Sequence, residues 1–255
     1  MIELINVEKS FGDTKVTKGV TLKIPDNQIT CIVGRSGEGK SVLLKQIIGL
    51  LRPTAGKILI DGEDTAQFTE QQLDANFDKF GYVFQFAALL DSLTVFENVG
   101  IKLIEQGMPK NKVRPIVEEK LALVHLDLDT LDKYPAELSG GMRKRVGLAR
   151  TLISQPKYML YDEPTTGLDP ITSRVIHELM VDIQQANNST SIVISHDVEI
   201  FKFVDKVALL HDGKIQFFGD AKTIWDTDNP YVYQFIRGLS EGPIQNEITH
   251  TTTRV

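Results

Sequence analysis

The stretch ITCIVGRSGEGKS, residues 29–41, decides the fold. An apolar segment leads directly into a turn with three glycines, and a lysine–serine pair follows the turn. Glycines let the backbone wrap around a phosphate chain with its N–H groups inward, and the N-terminus of a following helix adds partial positive charge. The pattern G-x-x-x-x-G-K-[ST] between a strand and a helix therefore predicts a P-loop that binds a nucleoside triphosphate.

Individual roles within the loop follow from the same chemistry. Lys40 is expected to reach the β- and γ-phosphates, and the Ser41 hydroxyl can ligate Mg²⁺. Glu38 is unusual beside a polyphosphate, and because the loop binds through backbone groups we expect its side chain to point outward. A chance glycine-rich turn is the alternative, but strand, loop and helix follow in the required order. The residues predicted to line the nucleotide here are Gly34, Arg35, Ser36, Gly37, Glu38, Gly39, Lys40, Ser41 and Val42.

Two further apolar strands end in residues that suit phosphate chemistry. YMLYDE (158–163) ends in Asp162, which can hold the Mg²⁺ shell, and in Glu163, which can orient or deprotonate an attacking water. SIVISH (191–196) ends in His196 at the carboxyl edge where open α/β sheets bind ligands. Alternatively, Asp162 and Glu163 could be a surface acidic pair and His196 a structural histidine. The P-loop in the same chain disfavours both alternatives.

The residues alone do not choose the base. The N-K-x-D signature of many GTPases is absent, because NKVR at 111–114 lacks the acid. Phe11 could stack on either purine. Sequence chemistry thus predicts a Mg²⁺-dependent nucleoside triphosphatase without naming its nucleotide.

The composition sets broad limits. The 255 residues are 42% hydrophobic and 24% charged, with a net charge of −6, which is ordinary for a globular chain and disfavours non-specific nucleic-acid binding. One cysteine, Cys31, excludes an intrachain disulfide and fits a reducing cytoplasm. The start MIELINVEKS does not resemble a secretory signal, and no run approaches the roughly 18 apolar residues of a membrane helix. Work at a membrane would therefore need a partner.

The predicted fold is an α/β core with a mainly parallel sheet. Helices are expected from Ser41 to Leu51 and after Asp169, where Asp169 suits the N-cap and Pro170 the first helical position. Residues 1–30 suggest short strands in an antiparallel flank, and residues from about 90 to 153 form a helical insertion. Strands are predicted at 29–34, 57–62, 82–85, 158–163, 191–196 and 207–213. Residues 1–238 are predicted to form one domain, and the polar tail 239–255 is expected to be mobile or held by a partner.

A second glycine-rich turn, LSGGMRKR at 138–145, completes a recognisable series of motifs. GRSGEGKS, Gln85, LSGGM, YMLYDEP, TTGLD and His196 occur in the order found in ATP-binding cassette (ABC) ATPases, and the chain resembles that family over about residues 2–238. The resemblance implies that ATP lies between the P-loop of one subunit and the LSGG turn of a second copy. Ser139, Gly140 and Gly141 would then contact the γ-phosphate across a dimer interface.

Other roles are implied by the same resemblance. Phe11 is similar in position to the aromatic that stacks on adenine, with Val16 beside it. Gln85 resembles the residue that touches Mg²⁺ and the attacking water. Glu163 corresponds to the catalytic base and His196 to the γ-phosphate sensor, with Lys40 completing the catalytic set. Two further features are implied to contact other subunits: Asp169, in the loop that crosses to the second copy, and residues 86 to about 100, where a permease docks.

Some residues depart from common importers and resemble the ATPases of Mla/Mce-type lipid transport systems. Met142 replaces the glutamine of LSGGQ, and 84–99 and 235–243 are also unusual. This resemblance implies a multi-pass permease, a periplasmic Mce-domain protein, in some systems a small STAS-domain subunit, and a place at the cytoplasmic face of the bacterial inner membrane. The basic run 143–145 is expected to be a solvated helical face, and part of 84–99 to be core packing.

Two other functions stay open. One is an ABC ATPase for another solute, such as amino acids or metal ions. The other is a soluble ABC ATPase that acts on nucleic acid or ribosomes. The chain lacks the features expected of the latter, namely a coiled-coil insertion, a second cassette and a basic excess, so no nucleic-acid partner is predicted.

Overall fold

Two β-sheets and the helices packed on them make up residues 1–245, which are the residues that the computed structural model describes. In chain order the strands are β1 (Ile2–Phe11), β2 (Thr14–Ile24), β3 (Ile29–Val33), β4 (Ala55–Ile60), β5 (Glu63–Asp64), β6 (Phe80–Val83), β7 (Tyr158–Asp162), β8 (Thr190–Ser195), β9 (Lys206–His211) and β10 (Lys214–Asp220). In chain order the helices are α1 (Lys40–Ile47), α2 (Glu70–Phe77), α3 (Val95–Glu105), α4 (Lys110–Leu123), α5 (Gly140–Leu152), α6 (Pro170–Asn187) and α7 (Pro230–Arg237).

The larger sheet has the order β10-β9-β3-β8-β7-β6. β9, β3, β8, β7 and β6 run parallel, and only β10 is antiparallel to its neighbour. The carboxyl ends of the parallel strands therefore meet at one edge, where open α/β sheets bind ligands. The prediction of an α/β core with a mainly parallel sheet is confirmed.

Both faces of this sheet are buried, which explains why its strands are apolar at nearly every position. Along β3, Cys31 and Val33 belong to the core shared with α3 to α6, whereas Ile32 belongs to the core shared with α1 and the smaller sheet. β8 alternates in the same way, with Val193 on one side and Ile192 on the other. Successive side chains of a strand point to opposite faces, so a strand covered on both sides needs an unbroken apolar run.

The smaller sheet is the antiparallel flank, with the order β2-β1-β4-β5. Its position matches the prediction, but its strands differ from the expectation. β1 and β2 contain 10 and 11 residues and are not short. The strand predicted at 57–62 also lies here, because β4 pairs antiparallel with β1. Its sequence alone did not separate it from the strands of the larger sheet.

Three helices, α3, α4 and α5, occupy the region predicted as a helical insertion. Thr94 caps α3 in a capping box with Glu97. Gly100 lets α3 approach α4 closely, because a Cβ there would lie 2.7 Å from Val113 Cγ1. Among residues 1–245, no helix combines the length and apolar composition that a membrane crossing requires.

The first residues after α7 fold back onto the chain. The buried Gln234 side chain donates to the Ile244 carbonyl and accepts from the Ile244 N–H at 2.9 and 2.7 Å. The Arg35 guanidinium of the P-loop donates to the Gln245 carbonyl. Residues 239–245 are therefore held by their own chain, in contrast to the expectation of a mobile or partner-bound segment. Residues 246–255 of the predicted tail lie outside the described part.

One carboxylate links the two sheets at the edge away from the P-loop. Asp61, in the turn after β4, accepts from Lys157 Nζ and Tyr158 Oη at 2.6 Å each and from Lys79 Nζ at 3.0 Å. The amino group of Met1 donates to it as well. Burial opposes ionisation of Asp61, but these hydrogen bonds outweigh it and hold its pKa well below the usual range.

We predict that Asp61→Asn lowers the free energy of unfolding by about 1 kcal/mol near neutral pH, because amino donors lose a charged acceptor. A carboxyl group whose folded-state pKa is depressed stabilises the fold above its unfolded value, and this contribution disappears as the pH falls through the folded-state pKa. Urea denaturation followed at decreasing pH should therefore show the two proteins converging below an ordinary aspartate pKa of 3.8. Asp13→Asn, in the exposed β1–β2 turn, is the control, and an equal loss there would contradict the prediction.

Candidate functional site

The P-loop joins β3 to α1 at the carboxyl edge of the parallel sheet. Gly39 precedes α1 with φ +90°, a conformation that favours glycine, and a Cβ there would lie 2.6 Å from Val16 Cγ1. Val16 of β2 is thus a direct neighbour of the loop, on the side where the base was predicted. Phe11 ends β1 with its ring 48% exposed and Lys9 Nζ 5.2 Å from its centroid. Its face can accept a stacked base.

The Lys40 side chain is buried inside the loop. Its Nζ donates to the carbonyls of Gly34 and Arg35 at 2.8 Å each. Burial lowers the pKa of Lys40, while the charges of Glu163 and Glu38 oppose that shift. The site thus holds an amino group directed at the loop backbone, within a shell of carboxylates that favours its charged form.

Ser41 and Asp162 supply adjacent oxygen atoms. Ser41 Oγ donates to Asp162 Oδ1 at 3.0 Å, and Tyr82 Oη donates to Asp162 Oδ2 at 2.8 Å. Burial and the hydrogen bond to Asp162 raise the pKa of Tyr82, so its hydroxyl stays a donor. A hydroxyl next to a carboxylate suits Mg²⁺, which binds few protein oxygens and takes its other ligands from water and phosphate. Within residues 1–245, no cluster of three His, Cys, Asp or Glu side chains that could hold a metal occurs.

Glu163 follows Asp162 at the end of β7 and has a backbone φ of +48°. Its N–H donates to the Ile194 carbonyl at 3.0 Å, and its Oε2 accepts from Thr166 Oγ1 at 3.0 Å. His196 Nδ1 lies 3.5 Å from Glu163 Oε1, and its ring is 61% exposed. The carboxylate and the imidazole therefore lie together at the sheet edge, as their strand-end positions predict. A left-handed φ on a non-glycine residue is strained and persists only where surrounding contacts fix it.

The LSGG turn lies at the N-terminus of α5. Ser139 is exposed and caps the helix, its Oγ accepting from the Met142 N–H at 3.2 Å. Gly141 packs against α6, because a Cβ there would lie 2.6 Å from Thr172 Cγ2. Asp169 caps α6 as predicted, accepting from the Ile171 and Thr172 N–H groups at 3.0 Å. The exposed turn presents a hydroxyl and a helix N-terminus, which together suit an anion.

The basic run after this turn is only partly a solvated face, because Arg143 is exposed whereas Lys144 and Arg145 are half-buried. Arg143 Nη1 donates to the Leu138 carbonyl at 2.6 Å, Lys144 Nζ donates to the Gln85 carbonyl, and Arg145 Nη1 donates to the His125 carbonyl at 2.7 Å. Burial lowers the pKa of both Lys144 and Arg145. The predicted solvated face therefore holds for Arg143 but not for Lys144 and Arg145, because helical spacing does not reveal which loops pack across a helix.

Gln85 contributes to the site through its main-chain carbonyl group. Its carbonyl accepts from Lys144, which fixes the position of the loop after β6 relative to α5. Arg150 extends this attachment by donating to the carbonyls of Ala87 and Ala88 at 2.9 and 2.7 Å. Contact of the Gln85 side chain with Mg²⁺ stays a prediction.

An exposed groove lies beside the same loop, with a mainly apolar lining that also includes Asp91, Arg143 and Lys144. Phe86 is 77% exposed, and a cavity of about 350 Å³ beside it is lined by residues 86–89, 166–168, Gly140 and Arg143 among others. Asn98 holds the segment after the groove, accepting from the Leu90 N–H and donating to the Leu90 carbonyl. Part of 84–99 is therefore packed, and part is free to contact another molecule.

Glu38 points away from the loop, as predicted, but it contacts another segment of the chain. Its side chain does not point out into solvent but accepts from the Asp212 N–H at 2.7 Å and lies 2.8 Å from His211 Nδ1. The loop residues Ser36 and Gly37 are exposed, and Val42 lies half-buried in the first turn of α1.

Sequence reasoning missed four residues that contact the site. These are Tyr82, Lys144, Thr166 and His211. Tyr82 carried a usable signal, since it begins a strand predicted at 82–85. Thr166 binds Glu163 only three positions away, whereas Lys144 and His211 contact partners distant in sequence. The structure brings Lys40, Ser41, Asp162, Glu163 and His196 together, whereas the LSGG turn contacts α6.

Known proteins resemble this chain along most of its length. A family model described as "ABC transporter" matches residues 17–166. The probable ribonucleotide transport ATP-binding protein mkl of Mycobacterium tuberculosis is 40% identical over 245 residues, covering 95% of this chain and 68% of that protein. The intermembrane phospholipid transport system ATP-binding protein MlaF of Haemophilus influenzae is 37% identical over 247 residues, covering 96% and 93%. The dimeric post-hydrolysis structure of the ATP-binding cassette MJ0796 bound to ADP and Pi is 32% identical, with a TM-score of 0.78 over 87% of this chain and 99% of that one.

We predict that Glu163→Gln lowers the rate of nucleotide hydrolysis by about 10² to 10⁴, because general-base catalysis contributes that much. Affinity for ATP should be kept, because Lys40 and the loop backbone are untouched. Phosphate release and equilibrium binding of a fluorescent ATP analogue, measured on the same preparation, separate the two effects. Glu178→Gln, on the exposed face of α6, is the control and should keep the parental rate. Hydrolysis by Glu163→Gln within tenfold of the parent would exclude Glu163 as the base.

Proposed function

The chain belongs to the ABC transporter family and carries its ATPase domain, and we propose that it drives a lipid transporter in a bacterial membrane. Membership of the family implies that the chain is the ATP-binding and ATP-hydrolysing subunit of a transporter. The lipid cargo and the partner subunits are the proposal.

The similarity to MlaF carries the lipid assignment. It extends over 96% of this chain and 93% of that protein, so neither has a large region without a counterpart. The mkl protein is slightly more identical, but this chain covers only 68% of it. The residues that first suggested the lipid systems, Met142 and the stretches 84–99 and 235–243, lie within the structured part.

The P-loop side of the proposed site binds and orients ATP. The backbone of residues 34–41 surrounds the phosphates, and Lys40 exchanges the Gly34 and Arg35 carbonyls for phosphate oxygens. Ser41 and Asp162 would hold Mg²⁺, which neutralises charge on the β- and γ-phosphates. Phe11 would stack on adenine.

The hydrolytic side consists of Glu163 and His196. Glu163 accepts a proton from water, and its attachment to Thr166 and to the Ile194 carbonyl fixes its direction. His196, 3.5 Å from that carboxylate, is placed to contact the γ-phosphate and keep the base oriented.

The site is completed by a second copy of the chain. Ser139 of the LSGG turn is exposed, while Gly141 is buried against α6, so the hydroxyl at the N-terminal end of α5 is free to meet another molecule. In a two-fold dimer each P-loop would face the partner's Ser139, Gly140 and Gly141, and Asp169 would lie in the loop that crosses the interface. ATP then stabilises the dimer, and hydrolysis releases it.

Membrane partners dock on the groove beside Phe86. An exposed aromatic next to a mainly apolar cavity is an unusual feature for a surface that stays in water. We assign this groove to a multi-pass permease, with a periplasmic Mce-domain protein and a small STAS-domain subunit in the same complex. The ATPase would then lie peripherally on the cytoplasmic face of the inner membrane.

A transporter for another solute is the second candidate, favoured by the name "ribonucleotide transport" of the mkl relative. It shares every catalytic step and differs only in the permease. A nucleic-acid role is disfavoured by the net charge of −6.

Composite sites predict complementation between two inactive variants. In a mixed dimer of one Lys40→Ala chain and one Ser139→Ala chain, both substitutions fall in the same composite ATP site. The other ATP site of that dimer is intact. Because random mixing makes half of the dimers mixed, ATPase activity should recover to roughly a quarter of the parental value. Mixing Lys40→Ala with Glu163→Gln is the matched control, because those defects fall in different sites and no activity should return. Absence of recovery in the first mixture, with mixed dimers demonstrated by pull-down of two tags, would contradict the composite arrangement.

Capture of the complex tests the cargo and the groove together. We expect a tagged copy, extracted from native membranes in mild detergent, to bring down a permease, an Mce-domain protein and phospholipid, identified by mass spectrometry. Phe86→Asp should reduce the captured permease about tenfold or more, since it puts a charge into an apolar contact. Leu50→Asp, at another exposed apolar position, should leave capture unchanged.

Each outcome of this experiment is informative. A permease without an Mce-domain protein or lipid would contradict the lipid assignment and favour the second candidate. Ribosomal or DNA-repair proteins without any membrane protein would contradict transport. Full capture by Phe86→Asp would move the docking surface away from this groove.

A further inference from the structure

We propose that Glu38 and His211 are positioning residues that hold the P-loop in its nucleotide-binding shape. The proposal starts from a chemical oddity, a carboxylate inside a loop that surrounds a polyphosphate. It depends on ATP binding at the P-loop and not on which substrate the transporter carries.

The Glu38 carboxylate is occupied on both oxygens. Oε1 lies 2.8 Å from His211 Nδ1, and Oε2 accepts from the Asp212 N–H at 2.7 Å. Both the Glu38 and His211 side chains are mostly buried, with 15% and 17% exposed. We call the three residues Glu38, His211 and Asp212 the P-loop tether. Hydrogen bonds to an ionised carboxylate in such a setting are stronger than neutral ones.

The far end of the tether is itself fixed. His211 ends β9, and its ring lies 5.6 Å from that of Tyr231 at the start of α7. Gly213, in the same turn, accepts from the Lys18 N–H of β2 at 2.8 Å. The β9–β10 turn is therefore fastened to the antiparallel sheet before it reaches the P-loop.

The tether closes a ring of contacts around the loop. Val16 of β2 touches the position of Gly39, and a Cβ on Gly213 would lie 2.6 Å from the Val16 carbonyl oxygen. P-loop, β2 and the β9–β10 turn are thus mutually in contact. Glu38 lies between two glycines with positive φ, Gly37 and Gly39, so the loop would have considerable freedom without an anchor.

The tether also explains how a negatively charged side chain is tolerated in a loop that binds phosphate. Held by His211 and Asp212, Glu38 is directed away from the loop interior, where it would repel phosphate. Its field still reaches Lys40, where burial lowers the lysine pKa and the charge of Glu38 is among those that oppose the shift. The loop therefore gains an anchor and support for its cation from the same side chain.

An anchored loop binds more tightly because less conformational freedom is lost on binding. In the full-length chain carrying Glu163→Gln, which removes turnover, we expect Glu38→Ala and His211→Ala each to raise the Kd for a methylanthraniloyl-ATP probe about tenfold. The double variant should be no weaker than Glu38→Ala alone, since removing the carboxylate already breaks its contact with His211. Glu38→Gln keeps an acceptor oxygen and should stay within about threefold of the parent.

A matched control lies in the same hairpin. Lys206 at the start of β9 pairs with Asp220 at the end of β10 at 2.7 Å, and Lys206→Ala should leave the Kd unchanged. Melting temperatures distinguish positioning from general stability, because a merely structural pair would lower the melting temperature and leave probe affinity intact. If Glu38→Ala does not fold, His211→Ala provides the same test.

Four results would overturn the proposal. These are an unchanged Kd in both alanine variants, a double variant whose loss equals the product of the single losses, a Glu38→Gln variant as weak as Glu38→Ala, and an equal loss in Lys206→Ala. A failed lipid assignment would alter none of these measurements.

Discussion

The burial of both faces of the parallel sheet is the constraint on which the rest of the structure depends. Strands such as β3 and β8 send alternate side chains into two separate cores, so they cannot shift register without exposing apolar surface. With the strands fixed, their carboxyl ends form one edge. The P-loop, Asp162–Glu163 and His196 all emerge there, although up to about 160 residues separate them in the chain.

What the sequence predicted well is what local chemistry encodes. The P-loop glycines, the N-cap Asp169 and the strand-end carboxylates each depend on a few neighbouring residues, and the structure has these features at the predicted positions. The α/β class likewise follows from short apolar runs that alternate with helical spacing.

The features that the sequence did not predict depend on contacts between distant segments of the chain. Glu38 and His211 are 173 positions apart, so no local pattern pairs them, although chemical reasoning about Glu38 alone gave the outward direction of its side chain. The same limit explains Lys144 and Arg145, whose hydrogen-bond partners are carbonyls on distant loops. β4 was grouped with the strands of the parallel sheet, because a short apolar run does not show whether its neighbours run parallel or antiparallel.

The attachment of α5 to the loop after β6 connects the groove to the LSGG turn. Lys144 and Arg150 bind the backbone carbonyls of residues 85, 87 and 88, and Gly147 permits this approach, since a Cβ there would lie 3.1 Å from the Ala87 oxygen. Hydrogen bonds to backbone fix the loop's path whatever its side chains are. The loop that carries Phe86 and α5 are therefore attached to each other, and the N-terminus of α5 is the turn proposed to contact the partner's nucleotide. Gly140 of that turn also lines the groove, so the proposed docking surface and the proposed composite site adjoin on one element.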